Sequence, residues 1–80
     1  INYFQSEDMI TIYPNPAINE VTIDGVENNT KITISDVYGR EIARTFLIEN
    51  KVHFSELVAG IYYFTIHLAS EKIVKKIVVE

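Results

Sequence analysis

Apolar and polar residues alternate with a period of two along most of this chain, the signature of strands with one buried face. Residues 9–13 form a short apolar run that stops at Pro14-Asn15-Pro16, where two residues without an N–H cannot continue a ladder. Residues 20–24 alternate with Val21 and Ile23 facing in, and residues 25–30 are polar and rich in turn formers. Residues 31–37 alternate again, with Ile32 and Ile34 inside and Lys31, Thr33 and Ser35 outside. Asp36 to Arg40 predicts a hairpin with Gly39 at the position of positive φ. Residues 41–48 form the returning strand, with no clear inward face. A turn at Glu49-Asn50-Lys51 leads to a short strand at residues 52–54, and residues 55–60 cross over. Residues 61–68 are the strongest strand: Tyr62, Phe64, Ile66 and Leu68 share one face. Ala69-Ser70 is short enough for a two-residue connection to a last strand over residues 71–79. No window carries a helical stripe. Short strands at spacings near ten residues predict an all-β fold, a seven-stranded immunoglobulin-like antiparallel β-sandwich.

A chain of 80 residues makes one domain, expected over residues 9–80, with residues 1–8 as the stub of a preceding linker. With 48% hydrophobic residues and no cysteine, it must hold together by packing and strand pairing alone. The net charge of −4 is uneven. Six acidic residues face Lys31 alone through Asp36, and six basic residues face five acidic ones thereafter. Neither part has the dense basic face that a phosphate backbone needs, so no nucleic acid partner is expected. No apolar run is long enough for a membrane span. The first residues lack a signal-peptide layout, so any export signal of a precursor is expected upstream.

The chemistry-bearing residues form no constellation, and the chain is expected not to be an enzyme. His53 and His67 fall on separate strands without further donors at ligand spacing, so neither metal nor cofactor is expected. Ser35 beside Asp36, and Ser55 beside Glu56, lack a third group to orient a base. The three glycines, at 25, 39 and 60, make no phosphate loop. Asn28-Asn29-Thr30 fits a glycosylation triplet but reads as a polar turn. Tyr13, Tyr38, Tyr62 and Tyr63 could line a sugar-binding face, although strand-rich domains use tyrosine to fill cores and cover edges.

Four blocks carry more information than any ionisable group. Ile12-Tyr13-Pro14-Asn15-Pro16-Ala17 resembles the opening motif of the type A C-terminal sorting domain of the type IX secretion system. The run from Ile32 to Arg40, with Asp36, Gly39 and Arg40 at its turn, is similar to that family's second block. Phe54 to Tyr62, through Leu57 and Gly60, is similar to the third. The ending with Lys72, Lys75 and Lys76 resembles its basic-apolar close. All four stand in family order. The last hairpin departs from the pattern, with Ala69-Ser70 where glycine or asparagine is common, and the chain ends on Glu80.

The resemblance implies a secretion signal fused to an upstream cargo and exported across the outer membrane of a Gram-negative bacterium. Its partners would be the type IX translocation machinery, a shuttle protein, and a sortase-like peptidase that cuts before the domain and anchors the cargo at the cell surface. The rival expectation is an immunoglobulin-like accessory module that binds glycan or protein for a parent enzyme. Two structural expectations accompany the sorting reading. The last strand offers an open edge to a partner, guarded by Lys72, Lys75 and Lys76. Gly39, more than Gly25, is the glycine the fold cannot replace.

Overall fold

A computed structural model describes residues 9–80; the linker expected at residues 1–8 lies outside the described residues. The described residues form seven strands and no helix long enough to cross a membrane. They are β1 (Thr11–Tyr13), β2 (Glu20–Asp24), β3 (Lys31–Ser35), β4 (Glu41–Phe46), β5 (Lys51–His53), β6 (Gly60–His67) and β7 (Lys72–Val79). Two antiparallel sheets result, in the orders β1-β2-β5 and β4-β3-β6-β7. Chain segments that cross from sheet to sheet give the sandwich its immunoglobulin-like architecture.

Period-two alternation decides what is buried. Val21 and Ile23 of β2 and Val52 of β5 meet Ile32 and Ile34 of β3 and Phe64 and Ile66 of β6, all with at most 1% of their surface exposed. Each such side chain contributes about 1.5–3 kcal/mol by leaving water. Phe54 packs its ring edge-on against Phe64, with centroids 5.8 Å apart. Leu47, just past β4, is fully buried and settles the inward face that its strand leaves ambiguous. Thr33, on the outer side of the larger sheet, is the one buried polar residue among the described residues, and its hydroxyl pairs with His67 Nε2 at 2.9 Å.

Turn chemistry fixes the registers. Leu68 donates to the Glu71 carbonyl, so Ala69-Ser70 is a two-residue connection and β6 pairs β7 along its whole length. Glu49 and Asn50 both have positive φ between Ile48 and Lys51, the geometry of a mirror-image turn, which closes the bridge between those two residues at the entry to β5. Gly39 has φ 82° in the β3–β4 hairpin, as its sequence predicts. The expected ranking of glycines is reversed, however. Gly25 also has positive φ, at 92°, and a Cβ there would fall on the Met9 carbonyl, whereas one at Gly39 would meet open space. The hairpin turn projects into solvent, while the turn after β2 lies under the chain entering β1.

Candidate functional site

The prolines end β1 at Tyr13, and both X–Pro bonds here, Tyr13-Pro14 and Asn15-Pro16, are cis. Beyond them the chain leaves the smaller sheet and meets the outer edge of β7. Asn15 Nδ2 donates to the Lys76 carbonyl at 3.1 Å, and the Val78 amide donates to Asn15 Oδ1 at 2.9 Å. Ala17, fully buried, then pairs in parallel with Val79: its amide donates to the Val78 carbonyl at 2.7 Å, and the Glu80 amide donates to its carbonyl at 2.8 Å. A side-chain amide carries both a donor and an acceptor on one planar group, as a peptide unit does, and so imitates a backbone neighbour at this edge. The first sequence block is thus bonded to the last. Tyr13 is half exposed, and its hydroxyl donates to Asp24 on β2, which raises its pKa above the usual tyrosine value.

The second block builds its turn around one carboxylate. Asp36 accepts from the amides of Tyr38 and Arg40 at 2.9 and 3.0 Å, and from Arg40 Nε at 2.8 Å. Partial desolvation pulls its pKa up, but the hydrogen bonds and charge of Arg40, with the Tyr38 amide, outweigh this and hold the carboxyl below its ordinary value. Arg40 also lies over the Tyr38 ring, 5.5 Å from its centroid. In the third block, Tyr62 near the start of β6 is buried and its hydroxyl donates to the Val58 carbonyl at 2.7 Å. This is the tyrosine corner of immunoglobulin-like folds, which locks the crossing segment onto the following strand. Leu57 packs partly against the core, and Gly60 opens β6 with only the Tyr62 ring, 3.9 Å away, near its missing Cβ. The corner escapes a reading by alternation, which assigns Tyr62 to the core. Its legible signal was a tyrosine two residues after the glycine that ends a crossover.

In the fourth block the three lysines do not form one row. Lys72 and Lys76 are exposed on the outer side of β7 together with Val74, whereas Lys75 is half-buried in the phase of the inward-facing Ile73 and Ile77. The open edge expected along the whole of β7 is also partly closed, because Asn15 and Ala17 occupy its end from Lys76 to Glu80.

Among the described residues, Tyr13, Tyr38, Tyr62 and Tyr63 do not assemble a sugar platform. Tyr62 is internal, Tyr63 faces out of the larger sheet, Tyr13 sits on the smaller sheet, and Tyr38 projects from a hairpin. His53 pairs with Glu20 at 3.1 Å and His67 with Thr33, on opposite sheets. Among the described residues, no three His, Asp or Glu gather where they could hold a metal ion.

A family model described as the secretion system C-terminal sorting domain matches residues 11–80, the span that contains all four blocks. The chain belongs to that family. The sorting domain is therefore a C-terminal signal for type IX secretion, which engages the type IX machinery for export across the outer membrane. Among solved structures it is similar to part of PorZ, an essential bacterial surface component of the type IX secretion system of Porphyromonas gingivalis. The two share 21% identity at a TM-score of 0.68, over 91% of the sorting domain and 12% of PorZ. That likeness supports the sandwich fold; the sorting domain spans a small fraction of PorZ. No curated protein matches the chain.

Proposed function

We propose that the sorting domain carries an upstream cargo to the outer surface by being read as a folded unit, with no catalysis of its own. A shuttle protein and a sortase-like peptidase are the partners we assign to it, the peptidase cutting ahead of the sandwich near residues 1–8 and leaving the cargo at the surface. One observation carries the reading. The first and last family blocks, more than sixty residues apart, are joined by the Asn15 and Ala17 hydrogen bonds to Lys76, Val78 and Glu80. The blocks therefore form one surface only when the domain is folded, as a signal must if it is read after crossing the periplasm.

The test is a periplasm-directed reporter fused ahead of residues 1–80, expressed in a host with a working type IX system and in an isogenic strain whose outer-membrane translocon is disabled. The reporter reaches the surface or medium in the first strain and stays periplasmic in the second. Equal distribution in the two strains overturns the proposal. N-terminal sequencing of the exported reporter locates the cut; an exported reporter that retains the intact sandwich overturns the peptidase assignment alone.

A further inference from the structure

The sandwich has four edge strands, and they are not equivalent. β1 and β5 have three residues each, too few for a new strand to gain much pairing. β4 is interrupted by a register shift opposite Ile34 and Ser35, and such bulges twist an edge away from a would-be partner. β7 is long, regular and paired to β6 from end to end.

Its hydrogen-bonding phase is fixed on both sides. Glu71 accepts from Leu68 of the hairpin, which places the odd-numbered groups of β7 toward β6. The even-numbered groups point outward, as the Lys76 carbonyl, both Val78 groups and the Glu80 amide demonstrate by bonding Asn15 and Ala17. The same phase aims the N–H and C=O groups of Lys72 and Val74 and the Lys76 amide away from the sheet, and no described residue hydrogen-bonds them. Among the described residues the edge thus accepts backbone at one end and is vacant at the other.

The outer face beside that vacancy is basic in an acidic molecule. Register places Lys31, His67 and Lys72 in one row across β3, β6 and β7, with Tyr63 and Lys76 in another. Arg44 stands opposite Thr33 on the same face, where Glu41 pairs with it at 3.0 Å. Lys31, Lys72 and Lys76 have no ion-pair partner among the described residues. Val74, between the two outer lysines of β7, is 53% exposed.

We infer that residues Lys72 to Lys76 form a strand-addition site for an extended segment of a partner protein whose outer side chains are acidic. The vacant N–H and C=O groups bind its backbone, and Lys72 and Lys76 on β7 select carboxylates on its outer side. The Asn15–Ala17 segment bounds the site at one end and fixes its length. This inference rests on the sorting reading for its biological setting, while its chemistry stands on β7 alone.

The probe is a blocked synthetic peptide, Val-Glu-Val-Glu-Val-Glu-Val, with a control in which Lys replaces every Glu. Two-dimensional NMR of the 15N-labelled domain shows the amides of Lys72, Val74 and Lys76 shifting with the acidic peptide and not with the basic one. Val74→Pro removes only an outward N–H, a change that edge strands tolerate, and weakens the peptide by about tenfold or more, equivalent to 1.4 kcal/mol. The double variant Lys72→Glu with Lys76→Glu keeps every backbone group and abolishes binding of the acidic peptide. If Val74→Pro does not fold, slowed hydrogen exchange at the Lys72, Val74 and Lys76 amides of the wild-type domain with peptide bound decides for strand addition, and unchanged exchange there overturns it. If the acidic peptide shifts only outer-face side chains and binds Val74→Pro unchanged, the face is a general polyanion surface and the strand-addition site is overturned. In the reporter fusion, wild-type export with both variants fully exported refutes the edge as a recognition element and leaves the sorting reading standing. A wild-type fusion that is not exported at all fails the sorting reading, whatever the peptide does.

Discussion

Asn15 is the position where this account is most exposed to a stability measurement. Asn15→Ala deletes both side-chain hydrogen bonds to β7, those with the Lys76 carbonyl and the Val78 amide. Each bond of this kind contributes about 0.5–1.5 kcal/mol net, and at an exposed edge water takes over part of the loss, so the variant loses about 1–2 kcal/mol. That is a substantial part of the about 4–12 kcal/mol available to a domain of this size. Asn15→Asp is more discriminating. Its carboxylate still accepts from the Val78 amide, but the second oxygen now confronts the Lys76 carbonyl where Nδ2 had donated at 3.1 Å. This repulsion raises the pKa of the substituted carboxyl in the folded state. A raised group stabilises the protonated fold and loses that contribution as pH rises through the folded value. The aspartate variant is therefore at least as unstable as the alanine variant at pH 7, and recovers relative to wild type below about pH 4, where a protonated carboxyl donates to the carbonyl. Urea denaturation followed by far-UV circular dichroism at both pH values measures this, and hydrogen exchange at the Val78 amide localises it. A wild-type midpoint for Asn15→Ala, or an aspartate deficit that does not change with pH, refutes the clamp.

Three further outcomes follow from the packing and charge of the sandwich. Gly25→Ala lowers the melting temperature more than Gly39→Ala: both incur the roughly 1–2 kcal/mol cost of a left-handed residue, but only the first also meets the Met9 carbonyl. Equal melting temperatures would contradict the geometry of the β2 turn. Phe64→Ala, at a site with 0% exposure, destabilises the domain by about 3–5 kcal/mol in urea titrations, and a loss below 1 kcal/mol shows that the core is packed differently. Partial burial, and then the charges of Lys31, Lys72 and Arg44 against a smaller opposing effect of Glu41, lower the pKa of His67. Stability is therefore fully present above the ordinary histidine value, about 6.5, and declines as pH falls from there toward the lowered folded value. His67→Gln flattens the stability profile on the acid side of the ordinary histidine value; an unchanged slope there assigns the acid sensitivity to other groups.

Alternation made the fold legible wherever one face of a strand is buried and the other wet, as at Val21 and Ile23 or at Phe64 and Ile66. It was least informative at β4, where Ile42 and Phe46 remain exposed and the buried residue, Leu47, lies beyond the strand end. The turn at Gly39 was legible because a hairpin must close locally. The constraint at Gly25 was hidden because it depends on Met9, a residue brought there by the antiparallel pairing of β1 with β2. The same distinction governs the site. Pro14 and Pro16 announce a strand end by themselves, but that Asn15 completes the edge of β7 is a contact across 61 and 63 residues that no local pattern encodes. The three lysines looked equivalent in sequence, whereas strand phase sends Lys75 inward and leaves Lys72 and Lys76 outside.

The most direct test of the central claim is fractionation of a reporter carrying the sorting domain at its C-terminus, compared with the same fusion lacking residues 72–80, in a type IX host. The missing segment contains β7 and every backbone group that Asn15 and Ala17 of the first family block bind. The intact fusion is recovered at the surface or in the medium, and the shortened one in the periplasm. Export of the shortened fusion to the same extent as the intact one would contradict the account.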